Sequence, residues 1–191
     1  MILGAPAFTP VCVLRGEVGA STMEARIKKG KMLYLSYILS KENSLIEKIF
    51  EELKLYDTKD YWVQEIKKTR NVIGLGQQNF RSIKKGEINK KIQNWDNEEW
   101  KRELASKKSV EMYERCKNNI KEESFYDNVP ASVTFFRCRS NTLKLNDRNR
   151  FVGKETKCIG CEEEIENLEH FLLDCKLYQN LRNKCKLFIR P

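Results

Sequence analysis

Residues 158–175 read Cys158-Ile159-Gly160-Cys161-Glu162-Glu163-Glu164-Ile165-Glu166-Asn167-Leu168-Glu169-His170-Phe171-Leu172-Leu173-Asp174-Cys175. Cys158, Cys161, His170 and Cys175 follow the spacing C-x2-C-x8-H-x4-C. Two cysteines separated by two residues can aim both sulfurs at one ion, because a tight turn brings their Cβ atoms together. Gly160, between them, permits that turn and leaves backbone N–H groups for the thiolates. Leu168, Phe171 and Leu172 predict a short amphipathic helix that presents His170, with Cys175 one turn on, near its end. Three sulfurs and one imidazole suit a single tetrahedral Zn2+ in a closed, structural site. The chain has one histidine, and it falls in the slot that the fourth ligand needs.

Outside this cluster the chain reads as helical. Ile27, Tyr34, Leu35 and Ile38 form a stripe at helical spacing after a cap at Ser21 or Thr22. Leu45, Ile46, Ile49, Phe50 and Leu53 form a second, after Asn43 or Ser44. Trp62, Ile66, Thr69 and Ile73 form a third, stopped by Gly74 and Gly76. The lysine-rich stretch from Gln77 to Gln93 carries Phe80, Ile83, Ile88 and Ile92 and predicts a basic helix or helix pair. Asp96 and Glu99 fit a capping box ahead of Trp100 and Leu104. Val110, Tyr113 and Cys116 or Lys117 continue that helix or begin the next. A break at Asn128, Val129 and Pro130 precedes Phe135 to Arg139, which periodicity leaves as helix or strand. Leu177, Leu181, Cys185 and Phe188 close the chain on one helical face. The fold class is mainly α: an irregular helical array with a small C-terminal zinc knuckle made of a turn and a short helix. The polar run Asp147-Arg148-Asn149-Arg150 marks the boundary, giving residues 1–147 as the helical region and 148–191 as the knuckle and last helix.

The remaining cysteines, Cys12, Cys116, Cys138 and Cys185, read as core residues. Seven cysteines cannot all pair within one chain. The stretch from Met1 to Leu14 lacks a basic start and is interrupted by Pro6 and Pro10, which argues against a signal peptide. No segment has the length of a membrane span. An intracellular protein with reduced thiols, nuclear or cytoplasmic and not secreted, is the expectation.

The net charge of +9 favours association with polyanions. Basic residues come in pairs, such as Lys28-Lys29, Lys84-Lys85 and Lys90-Lys91. Arg137, Arg139, Lys144, Arg148 and Arg150 are the candidates for phosphate contact beside the knuckle. Catalytic chemistry has little to work with. A ligating His170 cannot also serve a nucleophile, the aspartates are scattered, and Gly74-x-Gly76 lacks the third glycine of a dinucleotide loop. Nothing points to a small-molecule substrate. Glu162, Glu163, Glu164, Glu166 and Glu169 read as a solvated acidic face, and Trp62, Trp95 and Trp100 as core.

Three stretches resemble the C-terminal region of reverse transcriptases from LINE-type (non-LTR) retrotransposons. They are Leu3-Gly4-Ala5-Pro6 through Leu14-Arg15-Gly16-Glu17-Val18-Gly19, then Phe136-Arg137-Cys138-Arg139-Ser140, and the Cys158 to Cys175 cluster with Tyr178 and Arg182. The resemblance implies a thumb-like and linker helical region that contacts template RNA and target DNA within a retroelement ribonucleoprotein. It places the polymerase palm and its catalytic aspartates before residue 1, so this chain alone is expected to be a non-catalytic, truncated or domesticated tail. A zinc-dependent protein interaction module with an acidic knuckle face is the alternative.

Overall fold

A computed structural model describes residues 4–41, 43–55, 61–124, 126 and 130–189, with side chains for all of these except residues 54, 55, 80, 150 and 185–189. Helix takes up 66% of the described residues, which makes the protein mainly α as its periodicity predicts. Among the described residues the one strand-like feature is an isolated antiparallel bridge between Lys157 and Ile165. No described helix is long and apolar enough to cross a membrane. The chain divides into two compact units.

The first unit holds residues 11–108 with 117–123. Its helices are α1 (Val11–Val18), α2 (Met23–Leu39), α3 (Leu45–Leu55), α4 (Tyr61–Val72) and α5 (Lys85–Ala105). α2 begins where Thr22 turns extended and its Oγ1 accepts the Ala25 N–H at 3.0 Å, satisfying one of the donors a helix start leaves open. Ser44 does the same for α3, accepting from the Glu47 N–H at 3.2 Å. α4 runs out at Val72, and Gly74 follows at φ +71°, a left-handed conformation that glycine adopts without penalty. α2 lies along α5, and Met32, Leu35, Ile38, Phe50, Val63, Ile66, Ile73, Leu75, Ile83, Ile88 and Ile92 form the buried core. Trp62 and Trp95 pack against it, and Trp100 is fully buried with its indole N–H on the Cys12 carbonyl at 2.7 Å.

Three expectations change here. The core stripe of α2 is Ala25, Met32, Leu35 and Ile38, while Ile27 and Tyr34 are about half exposed. Likewise only Phe50 of the α3 stripe is buried, with Leu53 packed beside it. Asp96 and Glu99 do not start a helix: α5 begins eleven residues earlier, at Lys85, after an Lys84 that makes no side-chain cap. Asp96 sits instead in the buried series Ile88, Ile92, Asp96, Trp100, Leu104. Steps of four residues drift by about 40° on a 3.6-residue helix, so this line winds round α5. One end meets the α2 core and the other meets α1.

The second unit holds residues 1–10, 109–116 and 124–191. A 3-10 turn (Lys108–Val110) leads into α6 (Glu111–Cys116), and α7 spans Pro130–Arg139. Pro130 occupies the first helical position, where a missing N–H costs nothing; Asn128 and Val129 of the expected break lie outside the described residues. The ambiguous stretch Phe135 to Arg139 is thus helical. Phe136 is buried, and Tyr126 meets it edge-on at 6.3 Å. Asn141, at φ +51°, ends α7, and the Thr142 N–H returns to the Arg137 carbonyl at 2.8 Å. A 3-10 segment (Asn146–Val152), a turn-rich loop, a π-helical turn (His170–Asp174), a 3-10 turn (Lys176–Tyr178) and α8 (Gln179–Ile189) complete the unit.

The boundary expected between residues 147 and 148 has no counterpart in this packing. The Asn146 N–H donates to a Glu166 carboxylate oxygen at 3.0 Å, the Asp147 N–H to the Glu166 carbonyl at 3.2 Å, and the Asn146 amide to the Lys157 carbonyl at 2.8 Å. The knuckle therefore recruits residues on both sides of the expected break. Cys116 is exposed rather than a core residue, whereas Cys12 is buried and Cys138 half-buried; the side chain of Cys185 lies outside the described residues.

Candidate metal centre

Two local structures bring the four predicted ligands together. The first is a hairpin-like loop pinned at the Lys157–Ile165 bridge. The Cys158 N–H donates to the Glu164 carbonyl at 2.8 Å and the Glu166 N–H to the Thr156 carbonyl at 3.0 Å. Within that loop the Glu162 N–H closes back on the Cys158 carbonyl at 2.8 Å, and Glu162 takes φ +57°. The positive φ falls on Glu162, not on Gly160. Gly160 sits close to Leu177: a Cβ there would lie 2.7 Å from Leu177 Cδ2 and 3.3 Å from its Cβ, so that side chain would have to shift.

The second is the π-helical turn. His170 and Cys175 are five residues apart, and an α-helix would leave their side chains about 140° out of register. A π turn closes by an i→i+5 bond, and the Cys175 N–H does donate to the His170 carbonyl at 2.8 Å. The expected short helix is present in this wider form. Asn167 opens it, its side-chain oxygen accepting the His170 N–H at 2.8 Å. Leu168 is buried beneath, and Phe171 stacks edge-on against Tyr178 at 5.0 Å.

The ligand atoms of Cys158, Cys161, His170 and Cys175 all lie within 4.8 Å of one another, and together they could hold one metal ion. Cys158 Sγ and Cys175 Sγ are 3.7 Å apart, and Cys161 Sγ lies 3.3 Å from His170 Nε2. A disulfide would need about 2.05 Å, so these are free thiols. Cys158, His170 and Cys175 are buried and Cys161 half-buried. Backbone N–H groups of Glu163 and Glu164 converge on Cys161 and bring its thiol down to about 7. Burial pushes the Cys158 thiol up, against the N–H groups of Cys161 and Gly160.

The glutamates around the site divide by role. Glu162, Glu163 and Glu169 face solvent, with Glu163 on Lys176 at 2.9 Å. Glu164 does more: its Oε2 lies 3.1 Å from His170 Nδ1, on the far side of the ring from Cys161. An outer carboxylate of this kind fixes the tautomer and aim of a ligating histidine. Glu166 is buried and receives the Asn146 N–H. Neither role stands out within a run of similar residues. Asn167, by contrast, was readable as a cap three residues before His170. Arg182 donates to the Cys175 carbonyl at 2.5 Å and so covers the last ligand's backbone.

The arginines expected to contact phosphate are occupied within the protein. Arg137 donates to the Gly4 carbonyl through Nε and a terminal nitrogen, at 3.2 and 3.0 Å. Arg139 lies over the rings of Tyr113 and Phe135, at 5.9 and 5.8 Å. Arg148 donates to the carbonyls of Leu143 and Asn141 and stacks 4.6 Å from the Phe8 ring. Lys144 is exposed, and the side chain of Arg150 lies outside the described residues.

No family model matches this chain, and no curated protein or solved structure matches it.

Proposed function

We propose that Cys158, Cys161, His170 and Cys175 hold one Zn2+ in a structural site, and that the chain is a non-catalytic, nucleic-acid-binding region like the one that follows the polymerase in LINE-type reverse transcriptases. The geometry of the ligand cluster carries the first half of this reading. With Zn–S near 2.3 Å and Zn–N near 2.05 Å, a regular tetrahedron has S···S edges of about 3.8 Å and S···N edges of about 3.5 Å. Two of the ligand pairs here stand at 3.7 and 3.3 Å, and all six within 4.8 Å. The thiolate-rich donor set selects a soft or borderline ion over Mg2+ or Ca2+. When bound, the ion cross-links the loop to the π turn. Glu164 then acts through His170. Glu164→Gln is expected to weaken zinc about 10- to 100-fold in chelator competition, whereas Glu162→Gln, whose side chain faces solvent, leaves it unchanged.

The second half rests on charge and on the resemblance. An excess of +9 would attract phosphate backbones without reading sequence. Affinity for a single-stranded RNA and for duplex DNA is expected to fall steeply with salt, with a log–log slope of about −0.7 and −0.9 per phosphate neutralised, respectively. Arg137→Ala is a poor probe of this contact, because it also removes the tie to Gly4. The interaction-module reading has its own support in the exposed Ile159, Leu173 and Leu177 beside exposed Glu162, Glu163 and Glu169. Failure of the zinc-loaded protein to bind either nucleic acid at low salt would leave that second reading in place.

A further inference from the structure

Several cations of the first unit are spoken for. Arg15 pairs with Asp96 and Glu103, Lys28 with Glu24, Lys31 with Glu65, Arg81 with Glu47, Lys101 with Glu98, Arg102 with Glu99 and Lys107 with Glu103. Arg26 and Lys29 of α2 are different: both are exposed, and neither side chain makes a hydrogen bond or ion pair among the described residues. Both line a cleft of about 430 Å³ between α2, the loop before it and α5. Ile92 lies at its floor, Asn89 and Gln93 form the α5 wall, and Ser21 the loop side. No carboxylate lines it.

We infer that this cleft is a phosphate-backbone site: Arg26 and Lys29 neutralise successive phosphates of a nucleic-acid strand, while Asn89 and Gln93 bond its sugar or phosphate oxygens. This rests on the nucleic-acid reading above and locates it on α2 and α5 in place of the arginines beside the knuckle. Residues three apart on a helix stand about 5–6 Å apart at Cβ, so Arg26 and Lys29 project side by side. The positive surface also continues past the cleft. Lys85 is four residues before Asn89 and Lys90 three before Gln93, on adjoining faces of α5, and both are exposed and unpaired among the described residues. A single small anion would be satisfied by two cations; further exposed lysines on α5 flanking the cleft wall, Lys85 to one side and Lys90 to the other, suit a polyanion. Amides in the wall add donors and acceptors without adding base specificity.

The test compares the zinc-loaded full chain with two double variants, each lowering the charge equally: Arg26→Ala with Lys29→Ala, and Lys101→Ala with Arg102→Ala, whose cations are already paired. Binding of a fluorescent single-stranded oligonucleotide is measured across a salt series. Two lost contacts, each scaling as the −0.7 power of salt, predict about 25-fold weaker binding near 0.1 M salt and a slope flatter by about 1.4 for the cleft variant. The paired-cation control should change less than about twofold, and all proteins should keep their helical circular dichroism, since the replaced side chains are exposed. Inorganic phosphate at matched ionic strength should not displace the strand. If the wild type binds while the cleft variant matches it in affinity and slope, the cleft is not the site although the nucleic-acid reading stands. Full displacement by inorganic phosphate would make it a small-anion site and overturn the inference. If the wild type binds no nucleic acid, both readings fall together.

Discussion

His170→Ala protein is expected to emerge from purification with its zinc gone and the last part of the chain unfolded. The wild type should carry one Zn2+ per chain by elemental analysis. Cys158→Ser, Cys161→Ser and Cys175→Ser should each lose it, because among the described residues little besides the four ligands and the Glu164–His170 contact joins the loop at residues 157–165 to the π turn at 170–174. Apart from Cys158, Leu168, His170, Cys175 and the carboxylate of Glu166, few side chains in this stretch are buried; Ile159, Ile165, Leu172 and Leu173 all face solvent. So small an apolar core cannot offset the entropy of ordering some twenty residues at about 1–2 kcal/mol each. Zinc bound by thiolates contributes an apparent ~10–16 kcal/mol in small zinc-dependent folds at neutral pH, enough to decide whether the segment is folded at all. Chelation should therefore reduce the helical circular dichroism and make the backbone around Glu162 sensitive to protease. Cys116→Ser and Cys138→Ser, which change thiols outside the cluster, are the controls and should retain full metal. Full retention of zinc by His170→Ala would refute the ligand set.

How much of this was legible depended on whether the decisive interaction is local in sequence. Thr22, Ser44 and Gly74 each act on backbone within a few residues, so caps and stops could be read directly. The metal cluster was legible for the same reason: ligand chemistry restricts both residue type and spacing. What the ligands required of the backbone was less plain. The spacing H-x4-C is met here by a π turn, which a regular α-helix could not supply, while the positive φ at Glu162 and the crowding of Gly160 by Leu177 have no signature in the spacing. Arg137 and Arg148 were ambiguous for a related reason. An arginine cluster looks the same in sequence whether it faces a phosphate or donates to Gly4, Asn141 and Leu143 carbonyls. Choosing between the two requires the partner's position, and Gly4 lies 133 residues from Arg137. The same limit hid Asp96, whose partners are 74 and 81 residues away.

Asp96→Ala is expected to destabilise the first unit by about 3 kcal/mol, toward the lower end of the ~3–5 kcal/mol for breaking a buried charge pair. Asp96 is 2% exposed, and its carboxylate accepts from Arg15 at 3.0 Å, from Thr22 Oγ1 at 2.9 Å and from the Thr22 N–H at 3.4 Å. It therefore binds the start of α2, where a negative charge also complements the helix dipole, and it ties α1 and α2 to the middle of α5. Removing it strands the Arg15 guanidinium, whose side chain is 14% exposed. The cost stays near the lower end because Arg15 keeps Glu103 at 3.5 Å and the Ala20 carbonyl at 3.4 Å. Asp96→Asn retains an acceptor for Thr22 and should cost less than alanine. Urea unfolding followed by tryptophan fluorescence reads the effect directly, since Trp100 lies one helical turn along the same buried line. A purely apolar replacement supplies the sharper test. Asp96 already sits between Ile92 and Trp100, so Asp96→Leu combined with Arg15→Met extends the apolar series without leaving a charge behind. The pair should recover much of the stability that either single change loses, since well-packed apolar residues often replace a buried ion pair at little cost. Strictly additive losses in the double variant, or a loss below about 1 kcal/mol for Asp96→Ala, would show that the pair is not what fastens α5 to the start of α2.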